Sequence, residues 1–156
     1  MRITIAAVGQ RQPAWADAAV KDYLGRLPAD WKVEVKQVKA ETRSTNASGA
    51  RLLIAEGLRL RAAVPAGATL VALDERGKDC TTLQLTGHLQ NWRNEAQHVA
   101  FAIGGADGLD PSVKADARIV LRLSSLTLPH ALARVILAEQ LYRAWTVLAG
   151  HPYHRG

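Results

Sequence analysis

The apolar positions of this chain follow two rhythms that take turns along its length. Arg2–Val8 (R-I-T-I-A-A-V) and Thr69–Leu73 are short apolar runs that predict strands. Val33–Val38 alternates apolar with polar residues, as a half-exposed strand should, and His98–Ile103 and Ile119–Leu123 read as two more strands. Between them the spacing lengthens. Trp15, Ala19 and Tyr23 recur at helical intervals within Pro13–Arg26, with Pro13 suited to the first turn. Leu52, Leu53, Leu58 and Leu60 mark a second helix closed by V-P-A-G, Thr82–Glu95 a third and Pro111–Asp116 a brief fourth. His130–Leu148 is a long final helix, and the polar stretch Ala40–Ser48 is a loop.

Strands alternating with helices predict an α/β domain with a mostly parallel sheet and helices on both faces. V-A-L and V-A-F-A-I are apolar without alternation, which fits strands buried on both faces. The length of 156 residues predicts a single domain, 1–156. Apart from Arg134, Glu139, Gln140 and Arg143, the final helix is apolar nearly all round. Such a helix lies deep in the core or is covered by another subunit.

Composition narrows the class. Apolar content of 48% and charged content of 22% are ordinary for a folded soluble domain, so disorder is not expected. The lone Cys80 leaves no internal disulfide. No apolar run approaches the ~18 residues of a membrane span, and the run after Arg2 breaks at Gly9-Gln10-Arg11, as a strand rather than a leader would. The expectation is a cytoplasmic protein with no membrane partner. Lys and Arg number 20 against 14 Asp and Glu, a net charge of +6 that suits an anionic partner, nucleic acid first. Because the excess is dispersed rather than gathered into a block, any such surface must be assembled by folding.

Three stretches carry candidate chemistry. F-A-I-G-G-A-D-G-L follows a strand and precedes a helix, where α/β proteins place ligands. Its spacing matches neither the dinucleotide fingerprint nor the phosphate loop, and a plain turn is the alternative. L-S-S-L-T-L-P-H is a second loop after a strand, able to grip a polar ligand with hydroxyls and amides, or merely to cap a helix through Thr127. With Leu73–Gly77 these make three strand ends able to line one pocket. The terminus A-G-H-P-Y-H-R-G places His151, Tyr153, His154 and Arg155 together just after a helix stop, an unusual load for a chain end. His151 and His154, with His130, offer a remote metal reading, but no carboxylate or second cysteine accompanies them and no metal is expected. Glu139 and Arg143 have the spacing of a helix-stabilising pair, and Cys80 reads as structural.

Taken together, these stretches resemble one family across essentially the whole chain. I-A-A-V-G, L-D-E-R-G-K, I-G-G-A-D-G-L, L-T-L-P-H, E-Q-L-Y-R-A-W and H-P-Y-H-R stand in the order found in the bacterial large-subunit ribosomal RNA methyltransferase H family, of the SPOUT class. The resemblance implies a C-terminal deep trefoil knot and a methyltransferase that uses S-adenosyl-L-methionine. It implies methylation at N3 of a pseudouridine in helix 69 of 23S rRNA, within the large subunit or assembled ribosome. It further implies that Leu73, Gly104 and the run Leu123, Ser124, Ser125, Leu126, Thr127 and Leu128 bind the cofactor. A homodimer in which one tail completes the other subunit's pocket is also implied. The rival reading is a non-catalytic RNA-binding module using the same basic surface.

For the base chemistry the tail residues are the candidates. Tyr153 is expected to stack on a flipped base. Arg155 is expected to stabilise the imide anion with a fixed charge. His154 is expected to take the proton, as the side-chain type suited to general-base work near neutral pH.

Overall fold

A computed structural model describes residues 1–43 and 48–155 of the chain. In chain order these form β1 (Arg2–Val8), α1 (Ala14–Gly25), β2 (Lys32–Val38), α2 (Gly49–Ala63), β3 (Thr69–Asp79), α3 (Thr82–Asn94), β4 (His98–Ile103), α4 (Pro111–Asp116), β5 (Ile119–Arg122) and α5 (His130–Ala149). A 3₁₀ turn, Pro152–Arg155, follows α5. The five strands lie in the order β2-β1-β4-β3-β5 and every pairing is parallel. The expected elements are all present with ends shifted by a residue or two, except that β3 runs on to Asp79. Of the expected loop Ala40–Ser48, residues 44–47 lie outside the described residues.

Two cores explain why the central strands lack alternation. Ile3, Ile5 and Ala7 of β1 point with Val71, Val99, Phe101 and Leu121 into one face, where Leu89 of α3 and Leu137 and Leu141 of α5 cover them. Ala6, Ala72, Ala100 and Ala102 point to the other face, under Leu60 of α2 and Val113 of α4. Phe101, Leu137 and Leu141 are fully buried, and truncating any one to Ala costs ~2–5 kcal/mol. On the second face Gly57 lets α2 lie close on α4, since a Cβ there would stand 3.0 Å from Asp110 Cβ.

Local signals set the helix ends. Ser48 accepts from the Arg51 amide at 3.2 Å, and Thr81 with Gln84 forms a capping box at the start of α3. α5 opens after Pro129 with no side-chain cap, so Thr127 does not play the capping role that was its alternative. α5 ends on Gly150 in the left-handed conformation, φ +69. On one flank α5 packs against α1 and on the other against α3, so much of its apolar surface is covered within the chain. This is the core alternative for the helix: Leu137, Leu141 and Ala144 belong to the first core with Leu85 and Leu89 of α3.

Candidate active site at the strand ends

Sheet register brings the expected cofactor residues together. Leu73 pairs with Ile103 on one side and Leu121 on the other, so Leu73, Gly104 and Leu123 stand at three adjacent strand ends. These are carboxyl ends, where open α/β sheets present their ligand crevice. Between α3 and α5 a cavity of about 260 Å³ opens beside them, lined among others by Leu73, Phe101, Leu121, Leu123, Cys80 and Gln140. A larger, more open depression of about 660 Å³ lies at the other end of the sheet, by Thr69 and Arg118, away from every candidate residue.

Each rim loop has its own construction. After β4, Gly104 is buried, and a Cβ on it would land on the backbone of Gly108. Gly105 and Gly108 form an isolated bridge, with the Gly108 amide donating to Gly105 O at 3.1 Å, and Gly108 holds φ +82. The glycines therefore let this loop fold on itself, a requirement that exists before any ligand enters. Within β3, residues 74–77 loop out so that both Leu73 and Lys78 pair with Leu121. Gly77 makes that possible: a Cβ there would lie 2.5 Å from the Leu121 carbonyl carbon. Asp74 accepts from the Arg76 amide at 2.9 Å and pairs with Lys114 at 3.4 Å, and Asp79 pairs with Arg122. After β5, Ser124 Oγ accepts from the Leu126 amide at 2.9 Å. Leu123, Ser124 and Leu128 are half-buried, while Ser125, Leu126 and Thr127 are exposed. Cys80 stands at the cavity wall, and burial pushes its thiol above the ordinary range.

The tail sits on a different flank of α5. Tyr153 packs edge-on against Tyr142, with ring centroids 4.6 Å apart, and Arg143 lies over its ring at 4.9 Å. Its hydroxyl meets Glu139 Oε1 at 3.1 Å, and Glu139 pairs with Arg143 at 2.7 Å as the spacing predicted. Burial first, then hydrogen bonds with Tyr23 and Glu139, push the Tyr153 phenol well above its ordinary range. It is a proton donor in this setting, not a base. His151 lies 6.0 Å from Trp145, ring to ring. His154 has a buried Nδ1 without a hydrogen-bond partner among the described residues, and Arg155 is exposed.

Within one chain the tail faces α1 while the cavity faces α3, so the residues expected to act together are split across the helix. His130 cannot join the tail histidines as a metal ligand, because the 20-residue α5 separates them by roughly 30 Å along its axis. Among the described residues no cluster of three or more His, Cys, Asp or Glu side chains could hold a metal ion.

Two structural groups escaped the sequence reading. Arg134, 4% exposed, donates from one terminal nitrogen to Val8 O at 2.7 Å and Gly9 O at 2.8 Å, tying α5 to the end of β1. Burial lowers its pKa from the arginine norm, and so raises the cost of keeping the charge there. Glu56, 2% exposed, is a carboxylate in the middle of α2. A charged residue inside an apolar helical stripe is the one sign of either in the sequence.

A family model described as "Predicted SPOUT methyltransferase" matches residues 1–154. The chain belongs to the SPOUT methyltransferase family. Relatives named "Ribosomal RNA large subunit methyltransferase H" from Paraburkholderia xenovorans and Bordetella avium are each 52% identical over 155 residues, covering 99% of both chains. One from Polynucleobacter asymbioticus is likewise 52% identical over the same share. A crystal structure titled "Probable Methyltransferase" from Bordetella pertussis Tohama I superposes with TM-score 0.55 at 16% identity, covering 92% of this chain and 95% of that one. It shares the fold of this SPOUT methyltransferase. No helix among the described residues is long and apolar enough to cross a membrane.

Proposed function

We propose that this SPOUT methyltransferase is a cytoplasmic homodimer that methylates N3 of a pseudouridine in helix 69 of 23S rRNA, using S-adenosyl-L-methionine. The observation that carries the reading is 52% identity over 99% of both chains to proteins named for large-subunit rRNA methylation. The net charge of +6 fits an RNA partner.

The rim suits the cofactor. The tight glycine loop offers backbone without side chains, and the exposed run Ser125–Thr127 leaves further polar groups open. The 260 Å³ cavity, below the usual ~300–1,000 Å³ of a whole ligand site, fits one apolar ring of a larger molecule. When bound, the cofactor supplies an electrophilic methyl group on sulfonium. Leu73, Gly104 and Leu123–Leu128 are the residues that hold it in this reading.

The protein must supply a deprotonated imide nitrogen. That nitrogen is a poor nucleophile while it keeps its proton, so charge stabilisation and positioning carry most of the rate. Arg155 places a fixed cation beside the imide oxygen, His154 accepts the proton, and Tyr153 stacks on the base while its hydroxyl stays moored on Glu139. Since the tail and the rim occupy different flanks of α5, the tail of one subunit serves the rim of its partner. The deep knot belongs to the same reading, and the closeness of Gly77 to the end of β5 is compatible with a chain threaded there.

Mass spectrometry of rRNA from a strain lacking this protein tests the whole reading. One methyl group should vanish from one pseudouridine and return on complementation, and unchanged rRNA would refute it. Sedimentation at micromolar concentration should show twice the 16.9 kDa chain mass.

A further inference from the structure

Glu56 is a carboxylate almost wholly removed from water, and such a group persists only when its charge is matched. Its partners both come from the segment after β2. The Glu41 amide donates to Oε2 at 2.9 Å, and the two terminal nitrogens of Arg43 reach the two oxygens at 3.2 and 3.3 Å. Arg59 holds the same segment, donating to Lys39 O at 3.0 Å and pairing with Glu41. Away from Glu56, Arg43 Nε forms an ion pair with Asp107 Oδ2 at 2.7 Å. Asp107 belongs to the Gly104–Gly108 loop. Glu56 lies directly behind that loop, since a Cβ on Gly105 would stand 3.9 Å from Glu56 Oε1.

We propose that Arg43, seated on the buried Glu56, is a positioning residue for the cofactor. It fixes the outer edge of the glycine loop through Asp107 and so pre-forms the surface that receives the ligand. The inference rests on the reading that this loop holds S-adenosyl-L-methionine. A guanidinium suits the position because its rigid, delocalised cation can hold both Glu56 oxygens and still present charge to Asp107, which a point-charge ammonium on a flexible stem does less well. The loop's inner edge is held by its own glycine backbone. Its outer edge, Ala106 and Asp107, is exposed, so removing Arg43 lets that edge move and makes binding bear the cost of ordering it.

The test is calorimetry and steady-state kinetics with S-adenosyl-L-methionine on the full-length protein. Arg43→Gln should weaken affinity about tenfold, ~1.4 kcal/mol, raising KM for the cofactor while kcat at saturating cofactor is retained. Asp107→Asn should do the same, the double variant should be no worse than either single one, and Asp107→Glu should keep wild-type affinity. Arg93→Gln removes an ion pair with Asp30 at the end of α3 and should leave affinity unchanged. Should Arg43→Gln not fold, Asp107→Asn decides, because its side chain is half exposed and lies outside the core. A folded Arg43→Gln or Asp107→Asn with wild-type affinity overturns the proposal, and so does an additive double variant. Wild-type protein that binds no S-adenosyl-L-methionine overturns instead the functional reading beneath it.

Discussion

The glycine loop and the tail are built on opposite terms. The loop at Gly104–Gly108 is fixed by main chain: Gly104 closes against Gly108, the Gly105–Gly108 bridge locks the turn, and Glu56 with Arg43 backs it. The tail is held mainly by side chains: Tyr153 is set on Tyr142 and Glu139 under Arg143, and His151 lies beside Trp145, while Arg155 stays exposed. One region is complete before any ligand arrives. The other carries the candidate side chains for base chemistry on a mooring made mainly of side chains, away from the pocket of its own chain. The difference teaches where each function can reside. Recognition of a small ligand gains from a pre-formed surface, whereas groups serving a large RNA must await a partner that brings base and rim together.

The largest expected effect comes from removing the tail. Deleting Pro152–Gly156 should abolish methylation while S-adenosyl-L-methionine affinity falls much less, because Leu73, Gly104 and Leu123–Leu128, which hold the cofactor in this reading, all lie outside the tail. Radiolabel transfer to ribosomal RNA and calorimetry read the two arms. Normal methylation by the truncated chain would end the assignment of base chemistry to the tail. His154→Ala and Arg155→Ala refine it: loss of a base should be partly rescued as pH rises, whereas loss of a fixed charge should lower activity at every pH.

Next in size is the attack on the rigid region. Gly104→Val should leave a folded dimer with cofactor affinity reduced by about a hundredfold or more, ~2.7 kcal/mol. A side chain there collides with the Gly108 backbone before any ligand enters. Even Gly104→Ala should therefore weaken binding, whereas Gly87→Ala, in an open position on α3, should not. Equal affinities for Gly104→Ala and wild type would show the loop to be less rigid than its contacts suggest.

Tyr153 sharpens the comparison from the tail side. Tyr153→Ala removes both ring and hydroxyl, and kcat should fall by about tenfold or more as positioning is lost. Tyr153→Phe keeps the ring on Tyr142 and loses only the Glu139 hydrogen bond, so a loss of a few-fold is expected. If Phe is as damaging as Ala, the hydroxyl rather than the ring is what holds the tail.

Much of this molecule was legible in its sequence, and the exceptions share a cause. Strands buried on both faces read as unbroken apolar runs, and Pro and Gly marked the helix ends, so β1, β4 and α5 were found almost to the residue. The extension of β3 to Asp79 was not, because D-E-R-G-K has no strand period; its pairing with β5 depends on Gly77 fitting against Leu121. The rim could be assembled because it is a set of strand ends. The Glu56–Arg43–Asp107 bridge and the Tyr153–Glu139 mooring join residues 13 to 64 positions apart in the chain through side chains alone. No periodicity records such contacts.

The smallest expected effect is a pH dependence on the rim side. His130 opens α5 directly after the loop Leu123–Leu128, and burial, then the nearby Arg134 charge, lowers its pKa. In the unfolded chain a histidine titrates near the ordinary ~6.5, so above that pH neither state is charged and His130 imposes no penalty. Below it the unfolded chain takes up the proton first, and stability falls with pH until the folded form protonates as well. His98, also lowered by burial and by Arg2 and Lys36, acts in the same direction and must be held constant. Melting curves from pH 7.5 to 5.0 should therefore show a shallower acid-side decline for His130→Gln than for wild type, a difference of about 1–3 °C at the acid end for a domain of this size. An unchanged decline would mean that the proton is accommodated where His130 stands, and that the start of α5 opens more readily than the loop at Gly104.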